Sequence, residues 1–171
     1  GDDWQSIYAF SGSDITLFTK FSEIMGYAEL LKITKTYRNS QEVIDIAGNF
    51  IQKNTAQIKK SLKSPKTIKD PVIIYTYDSR QKRFGGNANY NLAQSVETAI
   101  EQILDFNKAE GKDSKKQEIL LLGRFGFDGK NLERSSLFEY KDYGNKVKCL
   151  KHPELKITFM TAHASKGLGY D

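Results

Sequence analysis

Only one cysteine, Cys149, occurs in the 171 residues. It can form no internal disulfide, and with two histidines, His152 and His163, it offers no zinc ligand set, so no metal site is expected. The low cysteine count suits a reducing, cytoplasmic compartment. Long apolar runs are missing as well. Stretches such as Ile119 to Leu122 are far too short to span a bilayer, and no membrane partner is expected. The chain does not open on a charged-then-apolar leader, so no signal peptide is expected. Internal repeats and low-complexity tracts are also lacking.

What is present is enough for a packed domain. The length suits one domain better than two. Hydrophobic residues at 39% and aromatics at 12% exclude wholesale disorder. The formal charge is 26 − 21 = +5, which permits a polyanion partner without requiring one. Its distribution is more informative. Lys53, Lys59, Lys60, Lys63, Lys66 and Lys69 fall in a stretch that has no acid before Asp70. A solvated helix end and loop is the commoner fate of such a run, and a surface that tracks phosphates is the other.

Hydrophobic periodicity predicts alternating helices and strands. Ser13-Asp14 caps a helix through Phe18, Phe21, Ile24 and Met25, with Gly26 as its stop. Glu29 to Thr34 reads as a strand. Ser40 is the N-cap of a second helix whose stripe is Val43, Ile44, Ala47, Phe50 and Ile51. After Pro71, the β-branched and aromatic run Val72 to Tyr77 reads as a strand, and Asp78 to Asn91 as a loop. Leu92, Val96, Ile100, Ile103 and Leu104 mark a third helix. Glu118 to Gly123 and Leu155 to Thr161 read as strands, with a short helix near Leu132 to Phe138 and a short strand near Val147 to Leu150 between them. This alternation predicts an α/β domain with a largely parallel sheet flanked by helices.

Three segments carry chemistry, each at a place where such a sheet sets its functional loops. In Gly1-Asp2-Asp3-Trp4-Gln5-Ser6-Ile7-Tyr8-Ala9-Phe10-Ser11-Gly12, Gln5 is a neutral group able to sense a phosphate or orient a water. Tyr8 and Phe10 can stack on unpaired bases, although on composition alone both rings are better read as core. In Thr36-Tyr37-Arg38-Asn39-Ser40, Arg38 can aim its guanidinium fork at a phosphate and Tyr37 can lie on a purine; an isolated Arg is more often in a surface ion pair. In Ile157-Thr158-Phe159-Met160-Thr161-Ala162-His163-Ala164-Ser165-Lys166-Gly167-Leu168, small and hydroxyl residues allow close approach of a phosphate backbone, and Lys166 adds charge.

In this order the three segments resemble motifs III, IV and V of superfamily 1 helicases of the UvrD/Rep type, with the D-D-W-Q-S-I-Y-x-F-S-G wording closest to the helicase IV branch. The resemblance implies a RecA-like second motor lobe over residues 15–171, incomplete at its C-terminal end, prefixed by the motif III tail of the first lobe over residues 1–14. It implies that Gln5 and Arg38 are catalytic and that Gln5, Tyr37, Arg38, Lys166 and Gly167 meet ATP. It places Tyr8, Phe10, Thr161, His163 and Lys166 on single-stranded DNA. ATP and magnesium are the cofactors implied for the full-length protein, and none for the fragment. The sequence has no G-x-x-x-x-G-K-[ST] phosphate loop and no D-E-x-x motif. The fragment is therefore expected to be inactive alone, to need the missing first lobe as its partner, and to self-associate through surface that lobe would cover. Ser11 stands where many relatives have Arg, and Gly169 where many have a ribose-contacting Glu. The span between motifs IV and V leaves room for little or no inserted domain. The abrupt ends are expected to be cuts through a larger protein. The alternative function is a lobe of a helicase-related ATPase that remodels a protein complex such as RNA polymerase.

Overall fold

The computed structural model describes residues 3–5, 14–29, 31–79, 89–113, 118–141 and 143–169. Tyr8, Phe10 and the expected cap residue Ser13 lie outside the described residues. The chain divides into two compact units, residues 1–73 and 74–170.

The first unit begins with a single 3-10 turn, Asp3–Gln5. The helix expected up to Met25 forms as two short pieces, α1 (Thr16–Thr19) and α2 (Phe21–Met25), because Lys20 departs from helical geometry at φ −109° and ψ 26°. The Asp14 carboxylate accepts from the Thr16 amide and hydroxyl at 2.8 and 2.7 Å. Helix α3 (Gln41–Ile51) forms as expected, with the Ser40 hydroxyl accepting from the Val43 N–H. Its buried face is narrower than the expected stripe: Ile44 and Gly48 are buried, whereas Ala47 and Phe50 are exposed. The Trp4 indole takes the place of an apolar neighbour here. A Cβ at position 48 would stand 3.3 Å from Trp4 Cη2, so a glycine there lets the ring approach closely.

The strands expected at 29–34 and 72–77 are not formed among the described residues. Residues 34–36 make one parallel bridge, Lys35↔Lys63, through Lys63 N–H to Thr34 O at 2.8 Å and Thr36 N–H to Lys63 O at 2.9 Å. Strand propensity acts through covered faces, and Leu31, Ile33, Ile73 and Ile74 are all exposed.

The second unit contains α4 (Asn89–Ala109), β1 (Glu118–Gly123), α5 (Phe127–Glu133), β2 (Phe138–Lys141), β3 (Lys146–Cys149) and β4 (Lys156–Thr161). The sheet order is β1-β4-β3-β2. The largely parallel sheet expected from the sequence is instead mixed. Strands β1 and β4 pair in parallel, from Glu118↔Lys156 to Gly123↔Thr161, while β4 to β3 and β3 to β2 are antiparallel. Chain length explains the difference. Residues 142–145 and 150–155 are too short to make the crossover that parallel neighbours need. The helix expected near 132–138 lies earlier, because Ser136 turns the chain at φ 62° and Phe138 enters β2.

Alternation in the strands and the 3.6-residue period in α4 meet in one core. Ala93, Ile100, Leu132, Phe138, Val147, Cys149, Leu155, Ile157 and Phe159 are buried together, with Val96, Leu104, Ile119, Leu121 and Tyr140 packed around them. Burial of Cys149 accounts for the single thiol as a small apolar filler. The opposite sheet face is charged, and the register sets Glu118 beside Lys156 and Glu139 beside Lys148 at 3.5 and 3.4 Å. Phe159 is the central ring of the core. It meets Tyr140 edge-on at 5.9 Å and packs over Gly123, where a Cβ would stand only 2.7 Å from its ring. Phe159→Ala is expected to remove about 3–5 kcal/mol of stability, measured by urea unfolding followed by far-UV circular dichroism.

Candidate functional site

Arg38 sits on a short turn before α3, and its exposure follows from how that turn is held. A strap of chain, residues 57–68, runs beside it. The Gln41 side chain accepts from Ser64 N–H at 2.8 Å and donates to Leu62 O at 3.2 Å. The Gln41 N–H donates to Lys66 O at 2.8 Å. The Ser64 hydroxyl donates to Asn39 O at 2.7 Å, and Lys66 Nζ donates to Arg38 O at 3.4 Å. The main chain around Arg38 is thus fixed while its side chain is exposed. No carboxylate among the described residues pairs with its guanidinium. Tyr37 is exposed too, with Lys35 Nζ over its ring at 5.1 Å. An exposed guanidinium fork can take a phosphate group, and an exposed tyrosine ring can take a flat ring.

The other end of the strap holds the Asp3–Gln5 turn. The Asp3 carboxylate is buried, pairs with Lys60 Nζ at 2.5 Å and accepts from Ile58 N–H at 2.7 Å. The Trp4 indole N–H donates to Ile58 O at 3.3 Å, and Lys60 lies over the ring at 5.1 Å. Gln5 closes this turn. Sequence reasoning passed over Asp3, Lys60 and Gln41, because their partners lie far away in the chain. Only the acid-free setting of Lys60 hinted that it would be drawn to a distant carboxylate.

In the second unit, β4 ends at Thr161 and the chain turns through residues 162–167. The Thr161 hydroxyl accepts from Ala164 N–H at 3.2 Å, and its carbonyl accepts from Ser165 N–H at 3.1 Å. This threonine therefore shapes the turn. Gly167 reaches φ 84°, and His163, Lys166 and Gly167 are exposed. The Ala162 N–H donates to Gly123 O at 3.0 Å, so this turn leaves the sheet beside the end of β1. Arg124, Phe125 and Phe127 stand at that end. The two rings are exposed and stacked at 5.1 Å, with the Arg124 guanidinium 5.5 Å from Phe125. Sequence reasoning missed this group, although an Arg directly after a strand was the available signal. Among the described residues, no group of three or more His, Cys, Asp or Glu is placed to hold a metal ion. No described helix is long and apolar enough to cross a membrane.

Comparison with known proteins gives these turns a context. No family model matches the chain. The chain is similar to DNA helicase IV of Escherichia coli, 32% identical over 167 residues, which is 98% of this chain and 20% of that protein. ATP-dependent DNA helicase UvrD1 of Mycobacterium tuberculosis is 24% identical over 153 residues, 88% of this chain and 20% of that protein. DNA helicase II of Haemophilus influenzae is 33% identical over 76 residues, 44% of this chain and 10% of that protein. The chain is related to the UvrD/Rep-type superfamily 1 helicases. It spans about a fifth or less of the length of these curated relatives. The helicase IV match takes in 98% of the chain, and so overlaps all three sequence segments singled out above.

One carboxylate in this helicase-related chain ties the strap to the first turn of α3. Glu42 accepts from Ile68 N–H at 3.0 Å. Its own amide N–H, then that of Ile68, holds its pKa below the usual glutamate range. A depressed folded value means the contact stabilises the folded state above the unfolded glutamate pKa of about 4.3 and is lost as pH falls through the folded value. Amide exchange at Ile68 is expected to rise on acidification through that window, and Glu42→Gln is expected to remove this pH dependence.

Proposed function

We propose that the chain is a piece of an ATP-dependent DNA helicase or translocase: most of the second RecA-like motor lobe, residues 15–171, preceded by the motif III tail of the first lobe, residues 1–14. Its share of the work is half of an ATP cleft and half of a single-stranded DNA track. The observation that carries this reading is Arg38, exposed on a held turn next in sequence to the exposed Tyr37 and with no carboxylate partner among the described residues. The relatives' names, all DNA helicases, support it.

In this reading Arg38 reaches the transferring phosphate from the lobe opposite the one that cradles it. Charge spreads over the equatorial oxygens in phosphoryl transfer, and a guanidinium placed there stabilises it. Because that arginine arrives across a cleft, hydrolysis depends on closure, and closure is what a motor converts into movement. Tyr37 stacks on adenine. Gln5 senses the terminal phosphate, while Lys166 and Gly167 link the nucleotide to the DNA side. Tyr8, Phe10, Thr161, His163 and Lys166 meet DNA: aromatics on bases, the others on the backbone.

ATP binds with magnesium, which would neutralise charge on the phosphates. The residues of this chain fit only part of that need. Arg38 and Tyr37 suit the nucleotide, whereas the phosphate loop and the acids that hold the metal belong to the missing lobe. The fragment is accordingly inactive alone, the whole protein is cytoplasmic, and the exposed surface favours self-association of the fragment. In the full-length protein, Arg38→Ala is expected to lower the DNA-stimulated ATPase kcat by about a thousandfold or more while leaving folding intact. Steady-state hydrolysis assays check this, and a loss below tenfold would remove Arg38 from the reacting centre.

A further inference from the structure

The seat of the Asp3–Gln5 turn on the strap is built more heavily than a surface turn needs. The Asp3 side chain is fully buried, and the Lys60 side chain is only 15% exposed. Lys60 Nζ stands 2.5 Å from Oδ1 of Asp3, and no neutral donor among the described residues meets that oxygen. Oδ2 accepts from the Ile58 N–H at 2.7 Å. The Gln57 amide, with its nitrogen toward Asp3, donates to Oδ2 at 2.8 Å and to the Asp3 carbonyl at 3.1 Å. The Trp4 indole N–H donates to Ile58 O at 3.3 Å, and the ring lies against Gly48 of α3. A buried carboxylate held in this way is costly to leave half-paired. Without Lys60 its charge stays uncompensated unless the turn leaves the strap for water. The turn is therefore seated or released as a unit.

We infer that the Asp3–Lys60 pair is a latch between the two motor lobes, and that Lys60 is a positioning residue for Gln5. The inference rests on the function proposed above, in which residues 1–14 belong to the first lobe and the strap, residues 57–68, to the second. The pair then spans the cleft and forms only when the lobes meet. It uses none of the side chains assigned to nucleotide or DNA. Its consequence for the chemistry follows from the strap's other end, where Gln41 holds the turn that carries Arg38. Seating Asp3 thus sets the turn of Gln5 against the turn of Arg38 through one segment of chain. A reacting group misplaced by about 1 Å costs about a hundredfold in rate, so a latch acting on Gln5 is read in kcat. It leaves the affinity for ATP nearly untouched, because the phosphate loop that grips the nucleotide lies elsewhere in the first lobe.

Two measurements test this. Trp4 is the single tryptophan of the chain, so its emission reports the seat directly. In this chain, Asp3→Asn and Lys60→Gln are each expected to shift that emission to the red and to make it more open to acrylamide quenching, with far-UV circular dichroism unchanged. Lys60→Arg is expected to keep the native emission. Asp3→Asn leaves no buried charge behind, so it remains a folded test where Lys60→Gln fails to fold. Native Trp4 emission in Asp3→Asn overturns the latch. In the full-length protein, both variants are expected to lower the DNA-stimulated ATPase kcat by about tenfold or more, with the KM for ATP changed by less than about twofold and with Lys60→Arg close to the native rate. A native kcat, or a loss carried by KM, overturns the positioning role. Arg38→Ala in the same assay separates the two claims. A large loss there beside native rates in the latch variants overturns the latch alone, and no loss in any of them overturns the motor reading as well.

Discussion

The side chain of Gln41 is the fastener on which the arrangement around Arg38 depends. It accepts from one strap residue and donates to another, while its own backbone N–H takes a third, all within the first turn of α3. A neutral amide suits that task, because it satisfies a donor and an acceptor of an irregular segment at once. A segment with no ladder partners would otherwise leave these groups to water. Because the strap is fixed there, Arg38 needs no ion pair to hold its backbone, and its guanidinium stays available.

The same strap reaches the buried Asp3 at its other end. A carboxylate removed from water is costly unless paired, and Lys60 together with Ile58 N–H supplies that compensation. One stretch of twelve residues, 57–68, therefore holds both the turn that ends at Gln5 and the turn that carries Arg38. In the second unit, an analogous economy operates through the sheet. The parallel pairing of β1 with β4 sets Gly123 beside Thr161, so the Arg124 loop and the His163 turn leave from adjacent strand ends.

Much of this was legible residue by residue where the signal was local. The Ser40 cap, α3 and the strand Glu118–Gly123 stand where periodicity and capping put them. Strand β4 matches to within one residue. The failures were of two kinds. Residues 29–34 and 72–77 have strand composition, but Leu31, Ile33, Ile73 and Ile74 are exposed, so propensity had little to act through. The direction of β3 depended on the short connections around it, which composition does not reveal. In the candidate site, Tyr37 and Arg38 announced themselves by type and by position before a helix. Asp3, Lys60 and Gln41 did not, because their meaning lies in partners more than twenty residues away.

The proposed function makes the chain a half-site: Arg38 and Lys166 are exposed on turns, and the sequence holds no G-x-x-x-x-G-K-[ST] phosphate loop. The most direct test of that picture is complementation. This chain is mixed with a separately produced first lobe carrying the phosphate loop, and ATP hydrolysis is measured with and without single-stranded DNA. DNA-stimulated hydrolysis by the mixture, with neither piece active alone, is the result expected. Hydrolysis by this chain alone, or a folded mixture that binds but hydrolyses nothing, would contradict it.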